Sequence, residues 1–206
     1  MAKVYLNGEI LDSADAKIST GDSGLLYGTG LFETMRADGG KVFAIDDHME
    51  RLFASADAVG INNPYDKKYM TEAIYRTLKA NELDDARLRL TLTGGLMTEG
   101  QKPEPTLLIT ATKLQPYPAE YYQKGATVII TDARQNITDP LCGHKTTNFF
   151  ARLIALQEAR KKSAAEALWF TTDNLLAEGC ISNVFLVKDS GLYTPKASTP
   201  VLPGIM

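Results

Sequence analysis

Arg87-Leu88-Arg89-Leu90-Thr91-Leu92-Thr93 alternates strictly between polar side chains and leucine. This period of two predicts a half-buried β-strand whose polar face carries two arginines. Asn7-Gly8 and residues 38–40 each separate two strand-like runs, so we expect a β-hairpin at both places. Helical patterns at 46–60 and at 67 to about 82 follow one another with no strand-like run between them. Hairpins beside segregated helices indicate an α+β fold and argue against a doubly wound parallel sheet.

A proline-containing stretch near the middle of the chain, Leu114 to Ala119, interrupts regular structure. We therefore expect two domains, a small N-terminal α+β domain at 1–114 and a second domain at 124–206, joined by a linker at 115–123. The elements expected after the linker are strands at 127–131, 167–171 and 182–187 and a helix from about 147 to 162.

Composition and charge exclude several classes of function. The chain has 22 Lys and Arg against 25 Asp and Glu, a net charge of −3. This weak acidity argues against nucleic acid or an anionic membrane as a partner. The apolar runs are only strand-sized and the start lacks an apolar signal segment, which predicts a cytoplasmic protein. Two cysteines and two histidines are too few for a Cys/His zinc site built by this chain alone. No metal is therefore expected, and an all-carboxylate ion site is the alternative that stays open.

Several short motifs carry polar groups suited to chemistry. Gly28-Thr29-Gly30 lacks the third glycine of a dinucleotide-binding turn, and a strand rather than a helix follows it. Lys145 lies between a Pro- and Gly-containing stretch and a helix start, where a lysine side chain can point inward. Glu178 and the pair Ser182-Asn183 lead into an apolar run, and a carboxylate beside a buried strand needs a partner. Two further motifs are His48 to Leu52 and Leu202 to Met206, whose loop can offer N–H groups to an anion.

Taken in order, these motifs resemble the pyridoxal-phosphate-dependent class IV aminotransferases of fold type IV. That group contains branched-chain aminotransferases, D-amino-acid aminotransferases and aminodeoxychorismate lyases. The resemblance implies a two-domain α+β protein, with a sandwich-like small domain and a β-rich, pseudo-barrel cofactor domain. Family members continue beyond the last motif, so the resemblance also implies a chain that is incomplete at its C-terminus. The segments that carry it are Asn7-Gly8, Gly28 to Arg36, His48 to Leu52, Lys145 to Asn148, Glu178 to Phe185 and Gly204 to Met206.

The resemblance implies a binding site for pyridoxal 5'-phosphate. Lys145 matches the catalytic lysine, which forms a Schiff base with the cofactor aldehyde and then carries the substrate proton. Glu178 matches the carboxylate that keeps the pyridine nitrogen protonated, and Arg51 matches the guanidinium on the phosphate. Further cofactor contacts are implied for Ser182, Asn183, Ile205 and Met206 at the phosphate and for Leu202 against the ring.

An amino acid substrate needs a cation for its carboxylate, and Arg36 and Arg89 are the candidates on the expected strands. Phe32 is the candidate aromatic wall of the side-chain pocket. Arg89 resembles a strand arginine of branched-chain enzymes. Phe149 stands where many branched-chain enzymes carry a tyrosine, and Gly94-Gly95 replaces the arginine-containing turn of the D-amino-acid enzymes. Neither subgroup is matched throughout.

We therefore expect a homodimeric enzyme, with its active site near the subunit interface, that acts on small molecules. The expected reaction moves an amino group between an amino acid, with the branched-chain type favoured, and a 2-oxo acid. One alternative is an aminodeoxychorismate lyase, which forms 4-aminobenzoate and pyruvate. The other alternative is an inactive truncated fragment that takes up no cofactor.

Overall fold

The computed structural model describes residues 1–96, 103–196 and 198–205. The chain divides into two compact units. The first consists of Met1–Pro116 and Lys145–Asn148, and the second of Tyr117–His144 and Phe149–Met206. The linker at 115–123 stays a prediction, because compactness alone does not show which parts of a chain fold independently.

The first unit is built on one antiparallel sheet with the strand order β2-β1-β6-β5-β3-β4. Its described elements are β1 (Lys3–Leu6), β2 (Glu9–Asp12), α1 (Ser23–Tyr27), β3 (Gly30–Asp38), β4 (Lys41–Val42), α2 (Ile45–Val59), α3 (Lys67–Ala80), β5 (Ala86–Thr93) and β6 (Leu107–Lys113). Both expected hairpins are present. The turn of the first is Asn7-Gly8, and that of the second is Gly39-Gly40, with positive φ at all four residues. Strand β4 has only two residues, and α2 begins three residues after it, at Ile45.

The core of the first unit lies between the sheet and the two long helices. Leu88, Leu90 and Leu92 alternate along β5 and are fully buried. They belong to one apolar cluster with Met49 of α2 and Ile74 of α3. Arg87, Arg89 and Thr91 alternate with these leucines and face the other side of the sheet. The prediction of a half-buried strand with two arginines on its polar face is therefore confirmed.

The second unit has a three-stranded sheet with the order β7-β8-β9 and a separate hairpin, β10-β11. Its described elements are α4 (Ala119–Lys124), β7 (Val128–Gln135), α5 (Phe150–Lys161), β8 (Glu166–Thr171), β9 (Leu176–Gly179), β10 (Leu186–Lys188) and β11 (Gly191–Tyr193). Strands β7 and β8 are parallel, with α5 between them in the chain, whereas β8 and β9 are antiparallel. Leu156 and Ala159 of α5 pack with Trp169 and Cys180 in the core of this unit. The expected α+β class is confirmed.

Two expectations for the second half of the chain are wrong, the start of a helix and the start of a strand. Helix α4 overlaps the expected linker, which stays a prediction, and strand β9 is an addition to the expected elements. Helix α5 begins at Phe150 rather than near Thr147, because the preceding segment is extended and pairs with β3. The strand expected at 182–187 begins only at Leu186, because a carboxylate binds the backbone N–H groups just before it. No helix in the described residues has the length and apolarity that a membrane span requires.

Candidate active site

Lys145 lies in an extended segment that pairs with the edge of β3. The Phe32 N–H donates to the Lys145 carbonyl oxygen at 2.8 Å, and the Thr147 N–H donates to that of Gly30, also at 2.8 Å. Residues opposite one another in an antiparallel pair share a face of the sheet, so the Lys145 and Phe32 side chains lie on the same side. The Lys145 Nζ atom lies 4.7 Å from the centre of the Phe32 ring. Backbone pairing therefore fixes the segment that carries the predicted catalytic amine.

Gly28 and Gly30 let this segment approach β3 closely. A Cβ atom on Gly30 would lie 3.0 Å from Thr147 Oγ1 and 3.1 Å from the Leu92 carbonyl oxygen. Gly28 has a φ of 71°, in the left-handed region that favours glycine. The Thr147 hydroxyl donates to the Gly28 carbonyl oxygen at 2.7 Å. The Gly-x-Gly motif thus belongs to the support of Lys145, a role that sequence reasoning missed.

The three predicted substrate residues do not all lie together. The guanidinium carbon of Arg89 lies 3.7 Å from the centre of the Phe32 ring. Arg89 lies on the same face of the sheet as Phe32 and Lys145. Burial, with a smaller contribution from a neighbouring arginine, lowers the pKa of Arg89. Arg36 lies four residues after Phe32 in β3, which places their Cα atoms about 13 Å apart at the rise of a strand. Its Nη2 atom pairs with Asp38 Oδ2 at 3.0 Å on the surface.

Arg51, on α2, binds a buried carboxylate. Its Nε and Nη2 atoms donate to Glu33 Oε1 and Oε2 at 2.8 and 2.5 Å, and His48 Nδ1 lies 2.7 Å from Oε2. Glu33 is only 1% exposed. Burial raises the pKa of Glu33, but the hydrogen bonds and charges of His48 and Arg51 lower it by more. The pKa of Glu33 therefore lies below its ordinary value. The two bonds fix the plane of a guanidinium that has five N–H donors in all.

Glu33 was not among the predicted site residues. The available signal was its place between Leu31 and Met35 on the apolar side of a strand, where a carboxylate must find partners.

Glu178 lies in β9 and is 5% exposed, and each of its oxygens has a partner. Arg152 Nη2 donates to Oε1 at 2.5 Å, and the backbone N–H of Leu202 donates to Oε2 at 3.1 Å. A carboxylate offers about four acceptor positions, so these two bonds do not exhaust it. The structure thus joins two predicted cofactor residues, Glu178 and Leu202, and adds Arg152, which sequence reasoning missed.

Ser182 belongs to a turn that closes on Glu166, a residue at the start of β8. The Ser182 hydroxyl donates to Glu166 Oε2 at 2.9 Å. The backbone N–H groups of residues 180–181 donate to the same carboxylate at 3.0 and 3.2 Å. The turn therefore already holds an anion that belongs to the chain itself, and the single O–H of Ser182 is used within it.

Asn183 connects this turn to the end of the described chain. Its Nδ2 atom donates to the Leu202 carbonyl oxygen at 3.0 Å. A Cβ atom on Gly204 would overlap Asn183 Oδ1, so the contact requires glycine there. Ile205 follows directly and is partly buried, whereas the predicted phosphate contact at Met206 lies outside the described residues.

The donor groups suit pyridoxal phosphate in kind. The first unit provides a primary amine on Lys145 and a guanidinium on Arg51, and the second provides the buried carboxylate of Glu178 and backbone donors around Leu202. An aldehyde, a dianionic phosphate and a protonated ring nitrogen need these groups. Within the described residues, no group of three or more His, Cys, Asp or Glu side chains is arranged to hold a metal ion.

Residues 30–206 match the model of the amino-transferase class IV family. The chain is 34% identical over 207 residues to a Methanocaldococcus jannaschii protein that is provisionally named a branched-chain-amino-acid aminotransferase. This match covers 98% of the chain and 71% of that protein. The D-alanine aminotransferase of Staphylococcus epidermidis is 32% identical over 100% of the chain and 73% of its own length. The aminodeoxychorismate lyase of Bacillus subtilis is 32% identical over 98% of the chain and 70% of its own length.

A solved structure of similar fold is a T.th. branched-chain amino acid aminotransferase with pyridoxamine 5'-phosphate. The two chains superpose with a TM-score of 0.90 at 26% identity, over 99% of this chain and 70% of the other. The chain therefore belongs to the class IV aminotransferase family, has fold type IV, and is a pyridoxal-phosphate-dependent enzyme of the transaminase kind with lyase relatives.

Proposed function

We propose that this enzyme moves an amino group between a branched-chain amino acid and a 2-oxo acid. The observation that carries the proposal is the arrangement of Lys145, Phe32 and Arg89 on one face of the first sheet. The Phe32 ring lies beside both cations, 4.7 Å from the amine and 3.7 Å from the guanidinium carbon. When bound, pyridoxal phosphate supplies an electron sink that makes the substrate Cα–H bond acidic.

Each residue of this arrangement has a task that suits its chemistry. Lys145 accepts the substrate proton at Nζ and returns it, which needs an amine that can exist without charge, so arginine cannot replace it. Arg89 binds the substrate carboxylate through its planar fork of donors. Phe32 presents an apolar wall, which favours an aliphatic substrate side chain over a charged one.

Other residues hold the cofactor in this proposal. Arg51, with its plane fixed by Glu33, binds the phosphate, and Glu178 accepts the hydrogen of the ring nitrogen. Backbone donors near Asn183 and Ile205 complete the phosphate contacts, and Leu202 packs against the ring. Met206 is proposed as a further phosphate donor on the resemblance alone.

The decisive experiment compares Arg89→Met with Arg87→Met, because the second arginine lies on the same strand but is exposed. Steady-state rates are measured for L- and D-branched-chain amino acids with a 2-oxo acid acceptor. We expect Arg89→Met to raise the KM of the amino acid about tenfold or more, since it removes a charge-assisted contact. Arg87→Met should change this KM less than about twofold. Equal effects of the two substitutions would refute the role of Arg89.

A second candidate function is aminodeoxychorismate lyase, which the 32% identity to the Bacillus subtilis lyase supports. This reaction forms pyruvate without any 2-oxo acid acceptor. The two functions are separated by incubating the enzyme with aminodeoxychorismate alone and measuring pyruvate. Pyruvate formed at a rate above that of amino transfer would replace our proposal with the lyase.

We also propose a homodimer that works in the cytoplasm, with its active site near the subunit interface. The support is the family resemblance together with a sequence whose apolar runs are only strand-sized. Sedimentation equilibrium of the cofactor-loaded protein tests the dimer, and a monomer mass in a catalytically active sample would exclude it.

A further inference from the structure

Arg152, on α5, is held on several sides within the second unit. Its Nη1 atom donates to the Gly179 carbonyl oxygen at 2.9 Å, and its Nη2 atom donates to Gln135 Oε1 at 3.1 Å. Nη2 also donates to Glu178 Oε1 at 2.5 Å. The guanidinium carbon lies 5.3 Å from the centre of the Trp169 ring. These contacts fix both the position and the plane of the guanidinium.

The same contacts fix Glu178. Arg152 binds one carboxylate oxygen, and the Leu202 N–H binds the other at 3.1 Å, so rotation of the carboxylate would break a bond to each partner. Glu178 is 5% exposed, and burying a carboxylate is unfavourable unless a cation and hydrogen-bond donors surround it.

We propose that Arg152 is a positioning residue of this enzyme, which holds the Glu178 carboxylate in the orientation that accepts the hydrogen of the cofactor ring nitrogen. The inference rests on the role proposed above for Glu178. Arg152 itself does not touch the reacting atoms in this proposal. A lysine at this position would be a poor substitute, because a single ammonium cannot bind Gly179 and Glu178 in one plane and also stack on Trp169.

The test measures the dissociation constant of pyridoxal phosphate by equilibrium dialysis in the full chain. The variants are Arg152→Met, Arg152→Lys, Glu178→Gln and the double variant with Arg152→Met and Glu178→Gln. Arg160→Met is the matched control, because Arg160 is exposed on the same helix. We expect Arg152→Met to weaken cofactor binding about tenfold or more and the control to stay within about twofold. The dissociation constant of Arg152→Lys should lie between those of the wild type and Arg152→Met.

The double variant distinguishes positioning from general structural support. If Arg152 acts through Glu178, adding Arg152→Met to Glu178→Gln weakens binding less than about twofold further. If the two losses multiply, Arg152 acts independently of Glu178 and the inference is wrong. If Glu178→Gln alone leaves cofactor binding unchanged, the proposed role of Glu178 is wrong, and the inference about Arg152 falls with it. This outcome is distinct from the one in which Glu178 matters and Arg152 acts independently.

A second readout covers the case in which Arg152→Met does not fold. The visible absorbance of the bound cofactor is titrated with pH in the wild type, Arg152→Lys and Glu178→Gln. Losing the anion beside the ring nitrogen lowers the pH at which that nitrogen loses its proton. We expect Arg152→Lys to move this titration in the same direction as Glu178→Gln. No movement, or movement in the opposite direction, overturns the inference.

Discussion

Replacing Glu33 with glutamine should destabilise the first unit strongly. The carboxylate is 1% exposed and has three contacts of 2.5 to 2.8 Å, two from Arg51 and one with His48. Glutamine keeps the shape but offers one acceptor oxygen, and its amide group would face donors. The positive charge on Arg51 then loses its buried counter-charge.

The expected loss in the free energy of unfolding at neutral pH is about 3 to 5 kcal/mol, the cost of removing one partner from a buried ion pair. In a chain of this size it corresponds to a fall of about 6 to 20 °C in Tm. Glu50→Gln is the matched control, because Glu50 lies on the surface of α2 and pairs with Lys67 at 3.3 Å. That substitution should cost less than about 1 kcal/mol.

The effect of Glu33 should also depend on pH. Its folded-state pKa lies below the ordinary value of 4.5. The stability that it contributes is therefore fully present above pH 4.5 and is lost as the pH falls through the folded-state pKa. The difference between wild type and Glu33→Gln should be present at neutral pH and should shrink in acid.

Urea unfolding, followed by far-ultraviolet circular dichroism across this pH range, measures both quantities. A loss below about 1 kcal/mol at neutral pH would show that the ion pair contributes no more than a surface pair. A difference between the two proteins that stays constant into acid would show that the charge of Glu33 is not what binds Arg51.

Three further predictions concern single groups. Ser182→Ala should leave the Kd for pyridoxal phosphate within about twofold in equilibrium dialysis, because the only O–H of Ser182 is donated to Glu166. A tenfold loss of cofactor affinity would contradict this. Thr147→Val should lower the free energy of urea unfolding by about 1 kcal/mol and also lower kcat, since it removes the hydrogen bond to Gly28 that helps to place the catalytic segment. An unchanged kcat would contradict the second effect. Gly60→Ala should lower the free energy of unfolding by about 1 kcal/mol in the same assay, because the φ of Gly60 is 73°, although no atom lies near its Cβ position. An unchanged free energy would show that the helix end relaxes.

Features set by neighbours in sequence could be predicted well. The Asn7-Gly8 turn and the helix end at Gly60 follow from the backbone angles that these residues adopt, and both occur in the structure. The alternation at 87–93 correctly placed the leucines in the core. The motifs also sufficed to identify the family, which the comparisons confirm.

Features set by distant residues could not be predicted from local patterns. Thr147 and Gly30 are 117 residues apart, yet the contact between their segments decides where α5 begins. The helical pattern near Thr147 could not reveal this competing strand pairing. The segment at 182–187 is similar, because only the folded chain brings Glu166 to the N–H groups of residues 180–181 and to the Ser182 hydroxyl, which hold the start of that segment in a turn.

Three residues that sequence reasoning missed at the site, Glu33, Glu166 and Arg152, share one property, because each is, or binds, a carboxylate that has several hydrogen-bond donors around it. Glu33 fixes Arg51, and Glu166 fixes the turn that contains Ser182. Glu178, itself predicted, is fixed in turn by Arg152. Burying a carboxylate is unfavourable unless several donors surround it, so the donors in each group are held in one arrangement by the carboxylate that needs them. A motif shows which side chains are present, but the orientation of Arg51 and Glu178 comes from their buried ion pairs. Substitutions at Glu33 and Arg152 should therefore disturb the site as much as substitutions of Arg51 and Glu178 themselves.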